Sequence, residues 1–381
     1  MRPPGPGDRR RPTAVLPAAP VPRLHSRRRE ARGDATGSKR FHRDCNVPVD
    51  TGTMEGHLYH SPQHEGAIMT IRFLAGLAAL AITLVCPVCG PPCVAQEPAD
   101  PAAWAAQVEA HAPPQPTAAL KGAPPRQALV FSLATGYQHS VTPYVNKVLQ
   151  TLAQKSGAFA VTISQDIEDL TAEKLASCDL LVLNNTCSVG ERRNLFLDVL
   201  ESDSHYSGLS DAERQQRSAA LEQGLLDFVR GGKGLVVIHG APTLLNNSAE
   251  FTRMVGGAFD YHPPCQQVTV RVVEPDHPLV AAFRGAGPLV YEDEPYCFKG
   301  AYDDGDFLPL LAFDTASVND PAGRFADAQR YAAWIKPYGA GRVFFCSPGH
   351  VPDVYTHPAL LRFVLDGMQY AAGDLRCADT K

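Results

Sequence analysis

The chain has 381 residues, 44% hydrophobic and 20% charged, with 35 Lys+Arg against 40 Asp+Glu and a formal net charge of −5. The apolar fraction excludes a wholly disordered chain, and a single outstanding apolar run excludes a multispan membrane protein. The acidic balance argues against nucleic acid as the main partner, because phosphate binding needs clustered Lys and Arg.

The average conceals a division. Residues 1–68 hold 12 Lys+Arg and 7 Asp+Glu, whereas residues 69–381 hold 23 and 33. The first part is rich in Arg and Pro (Arg27, Arg28, Arg29; Pro3, Pro4, Pro6) and lacks a period of 2 or 3.6, so it is expected to be disordered. At Met69 the character changes: Arg72 gives a positive start, Phe73 to Val85 is an uncharged run of 13, and Cys93-Val94-Ala95 ends it with small residues. This is the layout of a signal peptide over 69–95, too short for a membrane span of ~20 residues. The resulting expectations are translation from Met69, with 1–68 a mistaken upstream start, and an exported, periplasmic or extracellular product with no stable membrane span.

Cys86, Cys89 and Cys93 form CxxCxxxC, but inside the segment expected to be removed, so they are not read as a metal centre. Export would permit disulfides among the later cysteines, with Cys178–Cys187 or Cys265–Cys297 as candidate pairs.

Residues 96–125, rich in Ala and Pro, read as a linker before a domain over 126–375 and a tail over 376–381. Gln127 to Leu133 predicts a buried strand, Pro143 to Gln154 a helix, Ala158 to Ile163 a second strand, and Thr171 caps a short helix. Leu180 to Leu183 is a third strand, followed by a polar insertion. Ser210 with Glu213 forms a capping box opening a helix that Gly231-Gly232 stops, and Gly234 to Ile238 is a fourth strand. Short apolar strands alternating with helices predict an α/β fold, a parallel sheet covered on both faces. Val268 to Val273 and Arg342 to Cys346 continue as strands, and a helix over 357–372 closes the domain. His277-Pro278 and His357-Pro358 read as turn and helix-start signals.

Ligands of such sheets sit beyond the carboxyl ends of the strands. There the sequence places Gly136-Tyr137-Gln138-His139, Asn184-Asn185, His239-Gly240-Ala241 and Ser347-Pro348-Gly349-His350. Two further stretches, Phe259-Asp260-Tyr261-His262-Pro263 and Tyr291-Glu292-Asp293-Glu294-Pro295-Tyr296, add a histidine and three carboxylates.

These motifs, with Gly231 to Ala241, Asp276-His277-Pro278 and Tyr338 to His350, occur in the order found in the trehalose-utilisation, or ThuA-like, family, which the chain resembles over roughly 127–373. The resemblance implies a flavodoxin-like fold related to class I glutamine amidotransferases. It also implies a place in sugar catabolism, with oxidised (3-keto) disaccharides or glycosides as substrates. Amidotransferases carry a nucleophilic Cys at the turn after the central strand. Here His239 stands there, and no GxSxG is present, so glutaminase or cysteine-protease chemistry is not expected.

A His/carboxylate cluster suits general acid–base work on the acidic C–H bond beside a keto-sugar carbonyl, as a hydrolase, lyase or isomerase. His239 is the candidate base, and His350 or Glu294 its acid or orienting partner. His139, Asn184, His262, Asp293 and Tyr296 are the candidate substrate contacts. His and carboxylate also suit zinc or manganese, but without a compact motif such as HExxH the sequence favours no metal. The alternative is a noncatalytic carbohydrate-binding or envelope scaffold protein, using Tyr137, Tyr261, Tyr296 and Tyr302 to stack on sugars.

Overall fold

The computed structural model describes residues 97–380; the basic segment 1–68 and the leader 69–95 lie outside the described residues. In chain order the strands are β1 (Arg126–Phe131), β2 (Phe159–Ser164), β3 (Leu180–Asn184), β4 (Gly234–Ile238), β5 (Ala258–Tyr261), β6 (Gln266–Val272), β7 (Leu289–Asp293), β8 (Cys297–Lys299), β9 (Leu308–Phe313), β10 (Tyr331–Tyr338) and β11 (Gly341–Cys346). The α-helices are α1 (Pro101–His111), α2 (Thr142–Ser156), α3 (Ala172–Leu175), α4 (Leu195–Ser202), α5 (Asp211–Arg230), α6 (Ala249–Val255) and α7 (Pro358–Ala371).

Nine strands form one mixed sheet among the described residues, in the order β2-β1-β3-β4-β11-β10-β9-β6-β7. The five from β2 to β11 are parallel, and their 2-1-3-4-then-last order is flavodoxin-like. β10, β9, β6 and β7 are then added, each antiparallel to its neighbour. Four reversals return β7 to the direction of β11, so both strands end at the same edge of the sheet. β5 pairs with β8 in a separate two-stranded ribbon.

The continuous apolar runs are explained by burial on both faces. Val182, Val236 and Phe344 enter the core on one side, with α2 and α7. Their chain neighbours Leu181, Leu183, Leu235, Val237, Val343 and Phe345 enter the other, with α4, α5 and α6. The Ser210–Glu213 capping box is formed, with Ser210 N–H donating to Glu213 Oε2 at 2.7 Å. Thr171 starts α3 without capping it, its hydroxyl donating instead to Glu168 O at 2.9 Å. His277 and His357 occupy the N-cap positions of the 3-10 turn Pro278–Phe283 and of α7.

Three expectations need correction. The polar insertion contains α4, opened by Asn194, whose side chain accepts from Leu197 N–H at 2.9 Å. Neither candidate disulfide exists, since Cys178, Cys187 and Cys297 are free thiols. The supposed linker is a strap. Asp100 caps α1, which buries Trp104 and Val108; Trp104 Nε1–H donates to Pro352 O at 2.9 Å, and its ring meets Tyr144 edge-on at 5.0 Å. Farther on, Thr117 Oγ1–H donates to Asp366 at 2.7 Å, and Gln369 exchanges two hydrogen bonds with the backbone of Ala118. The strap therefore covers the polar side of α7, which is why that helix is buried almost all round although amphipathic in sequence.

Asp366 bears the cost of that cover. Burial pushes its carboxyl up to about 6, against the opposing effects of Thr117 and Arg362. A carboxyl raised on folding is a penalty that is absent below its unfolded pKa, grows as pH rises toward 6 and is complete above it. Asp366→Asn keeps an acceptor for Thr117 and should therefore stabilise the fold by about 2 kcal/mol at pH 7.5 and by nothing near pH 4. Thermal melts at the two pH values check this; an equal effect at both would refute the assignment.

Candidate functional site

The carboxyl edge of the sheet gathers side chains from five strands. β1 runs into a loop held by a network around buried Asp198, which accepts from Thr135 Oγ1–H at 2.7 Å, Ser188 Oγ–H at 2.7 Å and Val189 N–H at 3.1 Å. Gly136 is required there because a Cβ would lie 2.5 Å from Ser188 O. The loop carries Tyr137, 54% exposed, and then His139, which is buried.

β4 ends in His239 at φ +48°, a left-handed conformation that non-glycine residues rarely adopt. This strained turn throws the imidazole over the sheet edge. The following Gly240 leaves room for its neighbours, since a Cβ would fall 2.7 Å from Cys187 Sγ and 2.9 Å from His139 Cε1. β11 delivers His350, and β7 delivers Asp293 and Glu294. Asp293 accepts from Gly349 N–H (2.9 Å), His350 N–H (3.2 Å) and Glu294 N–H (2.8 Å), which locks the β7 and β11 ends together.

Glu294 Oε2 is the hub. It lies 3.1 Å from His350 Nδ1, 3.6 Å from His239 Nε2 and 4.0 Å from His139 Nε2, and His239 Nε2 is 3.3 Å from His350 Nδ1. His262 Nε2 reaches the other carboxylate oxygen at 3.8 Å. His139, His239 and His350, each after a different strand, thus converge with Glu294 and His262.

Hydrogen bonds define the ring protons. His239 Nδ1–H donates to Ser347 O at 2.8 Å, leaving Nε2 as a lone pair aimed into the cluster. The Cys187 thiol donates to Gly240 O at 3.5 Å, so its sulfur is left to accept from His139 Nδ1–H at 3.6 Å, and His139 Nε2 is a second lone pair. His262 Nδ1–H donates to Pro263 O at 2.9 Å. His139 Nε2 and His350 Nε2 are buried with no hydrogen-bond partner among the described residues.

The charges follow. Burial and the neighbouring imidazoles of His239 and His350 hold His139 well below the ordinary histidine range. Burial works against protonation of His239 as well, but Glu294 and Asp293 outweigh it and raise its pKa. Burial would raise Glu294, yet His239 and His350 hold its carboxyl well below the usual range. Asp293 is raised by burial, which its histidine neighbours and backbone donors only partly offset. Burial pushes the Cys187 thiol up to about 11, so it carries no thiolate at neutral pH.

Other candidates have different places. Asn184, at the end of β3, is fully buried with its amide donating to Thr142 O (3.1 Å) and Asn146 (2.9 Å) and its oxygen accepting from Asn185 (3.0 Å), so its side chain ties the surrounding loops together. Tyr296 is buried under His239, with ring centroids 4.5 Å apart, and stacks on His262 at 5.3 Å. It is a floor for the histidines. Of the four tyrosines expected to stack on sugar, Tyr296 and Tyr302 are buried and Tyr261 is half-buried beneath Arg324; Tyr137 alone is exposed. Four of the converging side chains, His139, His239, His350 and Glu294, present ligand atoms all within 4.8 Å of one another. Among the described residues no helix is long and apolar enough to cross a membrane.

A protein described as ThuA-like from Bacteroides uniformis shares 18% identity at a TM-score of 0.48, covering 67% of this chain and 94% of that one. Another from Parabacteroides merdae shares 15% at 0.47, covering 65% and 90%. The cytoplasmic protein STM3548 of Salmonella typhimurium shares 12% at 0.44, covering 67% and 100%. No curated protein matches the sequence. The family model for trehalose utilisation matches residues 127–371, well over half of the chain and the whole stretch that builds the cluster, and the chain therefore belongs to the trehalose-utilisation (ThuA) family.

Proposed function

We propose that the protein is an exported enzyme of carbohydrate catabolism that acts on oxidised (3-keto) disaccharides or glycosides through its His/carboxylate cluster, without a cysteine nucleophile. The observation that carries this reading is the convergence of His139, His239, His350 and Glu294 beside the exposed ring of Tyr137, which lies 4.6 Å from the His139 ring and 6.4 Å from the His350 ring. Export is carried by the leader motif alone.

A ketone at C3 acidifies the neighbouring C2–H. An unprotonated His239 Nε2 accepts that proton, the C–H electron pair moves into a C1–C2 double bond, and the glycosidic C1–O bond breaks. The departing oxygen takes a proton from the cluster, where His350 and Glu294 lie within 3.6 Å of His239 and can exchange it. A buried site favours this, since water is kept from the charges as they form. Tyr137 offers a face on which a pyranose ring can stack.

The test is a product screen on protein recovered from the exported fraction and sequenced at its N-terminus, using oxidised and unoxidised disaccharides. Consumption of the oxidised sugars only, by a chain beginning at Gln96, is the expected result. Sugar binding without turnover, unchanged in His239→Ala, would establish a binding protein instead.

A further inference from the structure

We propose that His139, His239, His350 and Glu294 form a binding site for one divalent transition-metal cation of the zinc type. Four observations on separate elements meet here. First, the spacing is that of a coordination shell: bonds of 2.0–2.1 Å in a tetrahedron place ligand atoms about 3.3–3.4 Å apart. The separations of 3.1, 3.3, 3.6 and 4.0 Å between the cluster atoms bracket that edge, and the remaining pairs lie within 4.8 Å.

Second, the lone pairs face one another. His239 Nε2 and His139 Nε2 are both left unprotonated by what their Nδ1–H groups donate to, and both point at a carboxylate. His350 Nδ1 lies 3.1 Å from Glu294 Oε2 and 3.3 Å from His239 Nε2, so one ring proton there faces three acceptors and leaves His139 Nε2 with none; a cation at their centre satisfies all of them at once. Third, His139 Nε2 is buried and has no hydrogen-bond partner among the described residues, and a cation at the centre of the cluster would supply one.

Fourth, the outer contacts are those that orient metal-binding imidazoles. His239 gives its other N–H to the Ser347 carbonyl and lies 3.7 Å from Asp293 Oδ1, while Asp293 also grips the backbone of His350. Three nitrogens and one carboxylate oxygen suit zinc and its first-row neighbours better than magnesium or calcium, which take oxygen ligands. The four residues come from the ends of β1, β4, β11 and β7, which explains why no compact sequence motif announces the site.

The site stands on this geometry alone. Its use in catalysis rests on the sugar reading above: the cation would polarise the ketone oxygen, and His239, occupied as a ligand, would pass the base role to His262, whose Nε2 lies 3.8 Å from the Glu294 oxygen on the far side of the hub.

The full chain, stripped with a chelator and with its thiols alkylated, is titrated with Zn²⁺ by calorimetry and separately with Co²⁺ by visible spectroscopy. One equivalent should bind, and the cobalt form should show d–d bands of low coordination number without sulfur charge transfer. Glu294→Gln and His239→Ala should each weaken binding by at least about 100-fold, since loss even of outer-shell partners costs 10–100-fold. The exposed His205→Ala should bind as wild type. Absence of stoichiometric binding, or affinity unmoved in both cluster variants, overturns the site. Zinc binding without keto-sugar turnover would uphold the site and remove the sugar reading; turnover in a chain that binds no cation would do the reverse.

Discussion

Glu294→Gln is expected to lower turnover of an oxidised disaccharide by roughly 10²–10⁴-fold while leaving the fold intact. The amide has nearly the shape of the carboxylate, so the packing around it is kept. What disappears is the negative charge on which three imidazoles converge at 3.1, 3.6 and 4.0 Å. Without that charge, His239 loses the largest of the effects that raise its pKa, and the proton that it exchanges with His350 has no common acceptor. The loss should fall on kcat, with KM changing little, because Glu294 is mostly buried and Tyr137 remains to hold the sugar. His239→Ala should give a comparable loss. Steady-state rates alongside thermal melts check both, and a Glu294→Gln rate within threefold of wild type would remove the carboxylate from the chemistry.

The second large effect lies at a distance from the cluster. Trp104→Ala should destabilise the domain by about 3–5 kcal/mol, a fall in Tm of roughly 10 °C. Trp104 is 4% exposed, packs edge-on against Tyr144 and donates to Pro352 O, two residues beyond His350. Trp104→Phe keeps most of the buried ring and loses only the hydrogen bond, and should cost about 1 kcal/mol. The ratio of the two losses, measured by chemical denaturation, separates packing from hydrogen bonding. If Trp104→Ala melts as wild type, the strap is not part of the stable domain.

The parallel half of the sheet was readable because β1, β3, β4 and β11 are uninterrupted apolar runs, and burial on both faces leaves that mark. His239 is legible for the same reason, since the residue that follows a buried strand lies at the sheet edge, and His139 and His350 are legible because they stand in the loops that β1 and β11 run into. Glu294 was visible as chemistry but not as position. Its placement depends on four antiparallel reversals through β10, β9, β6 and β7, and strand order is a long-range property that no local pattern carries. Asn184 occupied a correct strand end, yet its side chain turned down among amides, a choice of rotamer and not of sequence. The strap is hidden by a composition that is that of a flexible segment; within α1 only Trp104 and Val108 are buried, and Asp100 before Pro101 is the helix-start signal that the sequence offers. Likewise Asn194 before Leu195-Phe196-Leu197 announced α4 within a stretch that looked polar overall.

The strap has a bearing on how the chain is made. Trp104 with Pro352, and Thr117 with Asp366, join positions 248 and 249 residues apart. A ribosome releases the strap early and α7 last, so during synthesis one face of the sheet waits uncovered, with Val236 and Phe344 exposed to other chains. Contacts of such sequence separation close slowly and only after most of the loop entropy has been spent. Nascent chains lacking residues 358–371 should therefore remain open to proteases and to aggregation, and protection is expected to rise only after the strap and α7 have met.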